Sequence, residues 1–265
     1  MALTLTPLPG IPLIRPGDDL AAILLDALDL AGLQLEDGDI LVLAQKIVSK
    51  AEGRIRNLAE VCPSPRALEL AESTQKDPRL LELVLGESAE VLRTRPGTII
   101  VEHRLGFVCA NAGIDHSNVS PLEPCEGSET FARLDNEDWV LLLPEDPDRS
   151  AAEIRARLES AAGTRIGVLI IDSHGRAWRN GTVGMSIGLS GMPGLVDLRG
   201  VPDLFDFKLR ITTVGAADEL AAAASLVMGQ AAEGTPAVHA RGFPYPLREG
   251  GLGELIRARE QDLFR

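Results

Sequence analysis

Aromatic side chains are scarce: two Trp, one Tyr and six Phe make up 3% of 265 residues. The interior must therefore be aliphatic, built on Leu, Val, Ile and Ala. Histidine is rarer still, four in all and none at metal-type spacing, which argues against a zinc site. The three cysteines, Cys62, Cys109 and Cys125, also lack ligand spacing. They read as packed, reduced thiols of a cytoplasmic protein. Long apolar runs are missing; Leu20–Leu25 is far too short to span a bilayer, and the first seven residues lack the basic, then apolar, plan of a signal peptide. Positive charge is in deficit: a net charge of -13 argues against a nucleic-acid surface and an anionic membrane. Anionic small molecules then need local basic groups. Three groupings stand out: Lys46, Lys50, Arg54 and Arg56; Arg176 and Arg179; Arg199, Lys208 and Arg210.

The common nucleotide signatures are absent. No Gly-x-x-x-x-Gly-Lys-Ser/Thr loop occurs, and no Gly-x-Gly-x-x-Gly follows the first strand, so P-loop and Rossmann architectures are not expected. Gly184-Met-Ser-Ile-Gly188 fits the nucleophile-elbow pattern. The strand–turn–helix setting of that elbow is missing, however, and the match reads as chance.

The periodicities present give a mixed α/β chain. Helices are expected over Asp18–Leu33, over Pro65–Lys76 behind a Ser64 cap, from Pro78 towards Leu92, from a Ser150 cap to Ala162, and over Ala216–Met228. Strands are expected at Ile40–Ala44, Thr98–Val101, Gly106–Ala110, Trp139–Leu143, Leu209–Val214 and Ala237–Ala240. Ile166–Ile171, almost wholly apolar, reads as a strand buried on both faces. Gly181–Gly200 reads as turns and close strand packing, and Pro121–Asp138 as an exposed acidic loop.

Two segments carry chemistry. Asn111–Asn118 and Ile170–Arg176 each set a carboxylate, Asp115 or Asp172, beside hydroxyl and amide groups behind an apolar run. Hard divalent cations take such oxygen ligands and share them with phosphates. A third segment, Gln45–Arg54, supplies cations suited to phosphate. Metal carboxylates plus phosphate cations point to phosphoryl transfer. Taken singly, Asp115 and Asp172 could equally be turn or capping residues.

Taken together, the ordered segments resemble the coenzyme F-420:L-glutamate ligase family. They are Leu8–Ile14, Ile47–Arg54, Asn111–Asn118, Leu143–Asp148, Ile171–Arg176, Ala217–Ala221 and Met228–Pro236. The resemblance implies one functional unit over 1–265, with room for two subdomains, in an unusual mixed-sheet fold that pairs as an intertwined homodimer. It implies a GTP-dependent amide ligase that adds L-glutamate to F-420-0, or a dehydro precursor, through an acyl phosphate. It also implies a divalent cation, Mn2+ or Mg2+, and leaves a place for a monovalent one, K+. By the same resemblance Asp115, Asp172, Ser173 and Gln230 are metal ligands, with Asp115, Asp172 and Lys50 at the chemistry. Leu8, Pro9, Gly10, Ile11, Gln45, Lys46, Lys50, Asn118, Met228, Gly229, Gln230, Ala231, Ala232, Glu233, Gly234, Thr235 and Pro236 fall in its GTP-binding segments. Two other readings of the residues are a metal-dependent phosphohydrolase and a non-catalytic GTP-binding module.

Overall fold

The computed structural model describes residues 2–119, 123–124, 131–132 and 138–262. Along the chain, β1 (Thr4–Pro7) leads to α1 (Leu20–Leu30), β2 (Ile40–Ala44), α2 (Gln45–Ala51) and β3 (Ile55–Asn57). Then come α3 (Pro65–Thr74), α4 (Pro78–Glu87), β4 (Ser88–Arg95), β5 (Thr98–His103), β6 (Val108–Ala110), β7 (Glu123–Pro124), β8 (Phe131–Ala132) and β9 (Trp139–Leu141). The chain continues through α5 (Pro147–Ala162), β10 (Gly167–Arg176), β11 (Arg179–Ser190), β12 (Val196–Asp197), β13 (Thr213–Val214), α6 (Ala216–Met228) and β14 (Ala237–Arg241).

The central sheet runs β1-β14-β2-β10-β11, and only β2 and β10 are parallel in it. Successive side chains of a strand face opposite sides, and both faces are apolar here. Leu41, Leu43, Val168 and Ile170 pack under α1 and α5, while Ile40, Val42, Leu169 and Ile171 pack under α6. The expected two-sided burial of Ile166–Ile171 is therefore observed. A third apolar cluster, centred on Leu81, Val84, Ile99, Val101 and Val140, joins α3 and α4 to the β4-β5-β6 sheet. Phe107 packs against the first and third clusters and links the two bodies. The mixed α/β expectation holds, in neither a Rossmann nor a P-loop arrangement.

Several boundaries differ from the expectations. The segment after Pro78 leaves the helix at Glu87, and Ser88–Arg95 pairs instead with β5, where Val91 and Thr94 suit a strand. Ser150 is not a cap: Asp146 accepts from Arg149 N at 3.1 Å and Pro147 opens α5. Ser150 Oγ instead donates to the Asp146 carbonyl. Leu209–Val214 keeps strand pairing only at Thr213–Val214. The first half of Gly181–Gly200 is not turns but β11, although its close packing is as expected. A Cβ at Gly184 would lie 2.4 Å from the Ala221 carbonyl, and one at Gly188 2.3 Å from Pro147. The Gly-x-Ser-x-Gly match lies inside this strand, with Ser186 buried, so no elbow forms. The expected Pro121–Asp138 loop falls largely outside the described residues, within which β7 and β8 pair antiparallel. Cys62 and Cys109 are free thiols, and Cys125 lies outside the described residues. Among the described residues no helix is long and apolar enough to cross a membrane.

Candidate active site

The parallel pair fixes the place of the site. Ala44, the last residue of β2, is paired with Ile171, so Gln45 leaves the sheet at the carboxyl end of β2 beside Asp172, which continues β10 in its pairing with β11. Ligands in α/β sheets gather at such ends. β14 runs the other way and begins there, since Ala44 N donates to the Pro236 carbonyl at 2.8 Å. β1 finishes there too, with Leu8 N bound to the Ala237 carbonyl at 2.9 Å. Four segments distant in sequence thus meet around one cleft of about 670 Å³.

Asp172 and Ser173 stand on opposite faces of β10 because they are neighbours on a strand. Ser173 Oγ faces the α6 side, where it donates to Gln230 Oε1 at 2.8 Å. Asp172 faces the other body, with its Oδ2 3.0 Å from Nε2 of the buried His174. That contact is too poorly aligned to be a hydrogen bond. The His174 ring is held by Phe107, with centroids 5.2 Å apart, and Phe107 stacks in turn on His103.

Asp115 reaches the same region from a tight left-handed turn: Asn111, Ala112 and Gly113 have φ of 52°, 53° and 67°. The turn is anchored by Asp115 pairing its backbone with Leu141 in both directions. Gln45 Nε2 donates to Asp115 Oδ2 at 2.9 Å, and Lys46 Nζ lies 2.6 Å from the same oxygen. Burial pushes the Asp115 carboxyl above its usual range; Lys46 opposes that shift and the nearby Asp172 charge adds to it. Burial, then the neighbouring Lys46, pulls the Lys50 ammonium below its usual range. Lys50 Nζ is held by the Asn118 carbonyl at 2.8 Å, and Asn118 Nδ2 donates to the Ala231 carbonyl at 3.1 Å.

The cleft gathers most of the anticipated residues: Ile11, Gln45, Lys46, Lys50, Asn118, Asp172, Ser173 and Met228–Pro236 all line it. Asp115 stands behind Gln45 and Lys46 rather than on the wall. Leu8, Pro9 and Gly10 do not line it: Leu8 is wholly buried in the core, and Pro9 and Gly10 are exposed outside it. The wall there is Ile11–Ile14. Of the basic groupings only Lys46 and Lys50 reach the cleft. Arg54 is tied to Glu87 and the Leu143 carbonyl, Arg199 to Asp197, and Arg210 lies over Phe207. Sequence reasoning missed Ser225, a single hydroxyl in an Ala-rich helix, which lines the cleft and accepts from Gln230 Nε2 at 2.9 Å.

Comparison with known proteins decides the family. Residues 10–242 match the family described as F420-0:Gamma-glutamyl ligase. The chain belongs to that family. It is 48% identical, over the whole of both chains, to a protein of Methanothermobacter thermautotrophicus named Coenzyme F420:L-glutamate ligase. Proteins bearing the same name from Methanopyrus kandleri and Archaeoglobus fulgidus are 46% and 42% identical, over 99% and 100% of this chain and 98% and 97% of their own.

The donor set at the cleft can be compared with what the expected divalent cation needs. Among the described residues no group of three or more His, Cys, Asp or Glu could hold an ion. The set at hand is two carboxylates, a hydroxyl and an amide oxygen, all hard oxygen donors. Asp115 and Asp172 are near enough for the second to raise the proton affinity of the first. A cation between them would relieve that repulsion. The residues fit a Mg2+ or Mn2+ site completed by phosphate oxygens rather than a closed all-protein cage.

Proposed function

We propose that this chain joins L-glutamate to the terminal carboxylate of F-420-0, or of its dehydro form, with GTP as the phosphoryl donor. The observation that carries the reading is the convergence at one strand end of Lys46, Lys50, Asn118 and the Met228–Pro236 loop with Asp115, Asp172, Ser173 and Gln230.

A free carboxylate is a poor acyl donor. Attack of its oxygen on the γ-phosphorus, with departure of GDP, makes an acyl phosphate; attack of the glutamate amine on the acyl carbon then releases phosphate and a proton. Little covalent chemistry falls to the protein, so its task is positioning and charge neutralisation. Lys46 and Lys50 supply ammonium groups to the phosphates, and Asn118 fixes Lys50 and the Ala231 end of the loop. A divalent cation, Mn2+ or Mg2+, held by Asp115, Asp172, Ser173 and Gln230, would supply further neutralisation of the phosphate charge. K+ is a further candidate ion. The reading includes a homodimer, supported by the exposed Leu204, Phe205 and Ile211, an apolar group unusual on a lone protomer.

The test is GDP release with Mn2+, L-glutamate and the unglutamylated precursor, with product masses read in parallel. GDP release that requires both substrates, with mass added in glutamate steps, is the expected result. GTP hydrolysis indifferent to glutamate would favour the phosphohydrolase, and binding without turnover the non-catalytic module.

A further inference from the structure

We propose that Glu233 is a built-in competitor of the nucleotide: in the empty protein its carboxylate fills a backbone anion site in the Gly229–Glu233 loop, and it leaves when a nucleotide phosphate takes that place. Ala231 N donates to Glu233 Oε2 at 2.8 Å. That bond first, then the N–H groups of Glu233 itself, Gln230 and Ala232, hold the carboxyl below its usual range. Consecutive backbone N–H groups turned towards one point form a concavity that binds an anion. Here the anion is the loop's own side chain.

The loop is shaped around that concavity. Gly229 has φ of 75° and ψ of -178°, a combination essentially confined to glycine. A Cβ there would also lie 2.6 Å from Glu233 Oε2 and crowd the carboxylate out. Thr235 Oγ1 donates to the Met228 carbonyl at 2.9 Å and ties the two ends of the loop together. Asn118 Nδ2 holds the Ala231 carbonyl from the other wall at 3.1 Å. Neither tie involves the Glu233 side chain, which is exposed and can swing into water without dismantling the cradle.

The place also suits a phosphate. The loop lines the cleft with Lys46 and Lys50, and the Asn118 carbonyl accepts from Lys50 Nζ at 2.8 Å, so one side chain links the cradle to an ammonium. A carboxylate and a phosphate bring like charges to the same N–H groups, and binding of one disfavours the other.

The inference rests on the reading of the cleft as a GTP site, and the test keeps the two apart. GDP affinity is measured by calorimetric titration of the wild type, Glu233→Gln and Glu233→Asp. Glutamine keeps the length of the side chain but offers a neutral acceptor, and charge-assisted hydrogen bonds are about twice as strong as neutral ones. GDP is therefore expected to bind Glu233→Gln about fivefold more tightly. Aspartate keeps the charge on an arm one methylene shorter, which draws it back from Ala231 N, so GDP should bind Glu233→Asp more tightly as well. Unchanged or weaker binding to Glu233→Gln would overturn the inference, because the carboxylate would then shape the loop instead of competing for it. A gain in Glu233→Gln with none in Glu233→Asp would overturn it too, since charge repulsion alone explains that pattern. No GDP binding by any of the three proteins would instead overturn the GTP reading, and the inference with it.

Discussion

Lys46 Nζ lies 2.6 Å from Asp115 Oδ2 and donates to the Ser117 carbonyl at 3.1 Å. The ammonium is thus the counterion of a carboxylate that the proposed function assigns to a divalent cation. The two cations would share one carboxylate charge, so loading the site weakens the Lys46 pair and frees the ammonium for the nucleotide phosphates. Lys46→Met keeps the aliphatic stem and removes the competitor. A partly exposed pair of this kind is worth about 1 kcal/mol, so Mn2+ should bind the nucleotide-free variant about fivefold more tightly, while GTP binds more weakly. Calorimetric titration of each ligand checks both signs; weaker Mn2+ binding in the variant would mean that Lys46 holds Asp115 in place instead of competing for it.

Asp172 has a different neighbourhood, a buried histidine held by an aromatic ring. Asp172→Asn preserves size and removes the anion. Glutamate-dependent GDP release should fall by at least about a hundredfold, the usual cost of losing one preorganised charge interaction. The melting temperature should stay close to that of the wild type. A variant that still turns over at the wild-type rate would sink the metal assignment.

His103 supplies the pH test. Burial pulls its imidazole from 6.5 down to about 4, against the opposing pull of Glu87. The folded state therefore favours the neutral ring. On acidification the unfolded chain takes up its proton first, near pH 6.5, and stability falls until the folded form also protonates near pH 4. The full difference corresponds to roughly 3 kcal/mol. His103→Asn keeps an acceptor for Leu105 N, which His103 Nδ1 binds at 3.0 Å, and removes the titration. Its urea midpoint should change less between pH 6.5 and 4 than that of the wild type; parallel curves for the two proteins would refute the assignment.

How much of this was legible in the sequence depends on the range of the interaction. Ile40–Ala44 and Ala216–Met228 were readable because periodicity and apolar content are local, and both are strand and helix over those very residues. The cap of α5 was misplaced because Asp146-Pro147, an acceptor followed by a preset φ, outcompetes the later serine. β11 was unreadable as a strand because its glycines lack β propensity; they are there so that α5 and α6 can come close. Asp115, Asp172 and the Lys-bearing Gln45–Arg54 segment could be singled out by chemistry, and Asn118 through the family resemblance. That Ala44 faces Ile171, so that Gln45 comes beside Asp172, is a sheet register that no local pattern encodes. That Leu8–Gly10 lie outside the cleft wall is likewise a matter of tertiary placement. The chain enters along the sheet edge, and only from Ile11 onward does it reach the cleft.

The turn that aims Asp115 gives the last prediction. Gly113 has φ of 67°, and a Cβ there would lie 2.6 Å from Leu143 Cδ1 and 2.9 Å from Leu143 Cγ. Leu143 is itself wholly buried, so it has nowhere to retreat. Gly113→Ala thus adds overpacking to backbone strain, together roughly 2–4 kcal/mol, or a melting temperature lower by about 5–10 °C. Gly97 is the control: its φ is 78°, but nothing lies within 4 Å of a Cβ there. Gly97→Ala should therefore show the strain alone, about 1 kcal/mol. Because the Gly113 turn positions the carboxylate that the proposed function assigns to the cation and the Gly97 turn joins β4 to β5, kcat/KM should fall in the first variant and hold in the second. Equal stability losses in the two would show that Leu143 yields, and that the turn aims Asp115 less rigidly than its geometry implies.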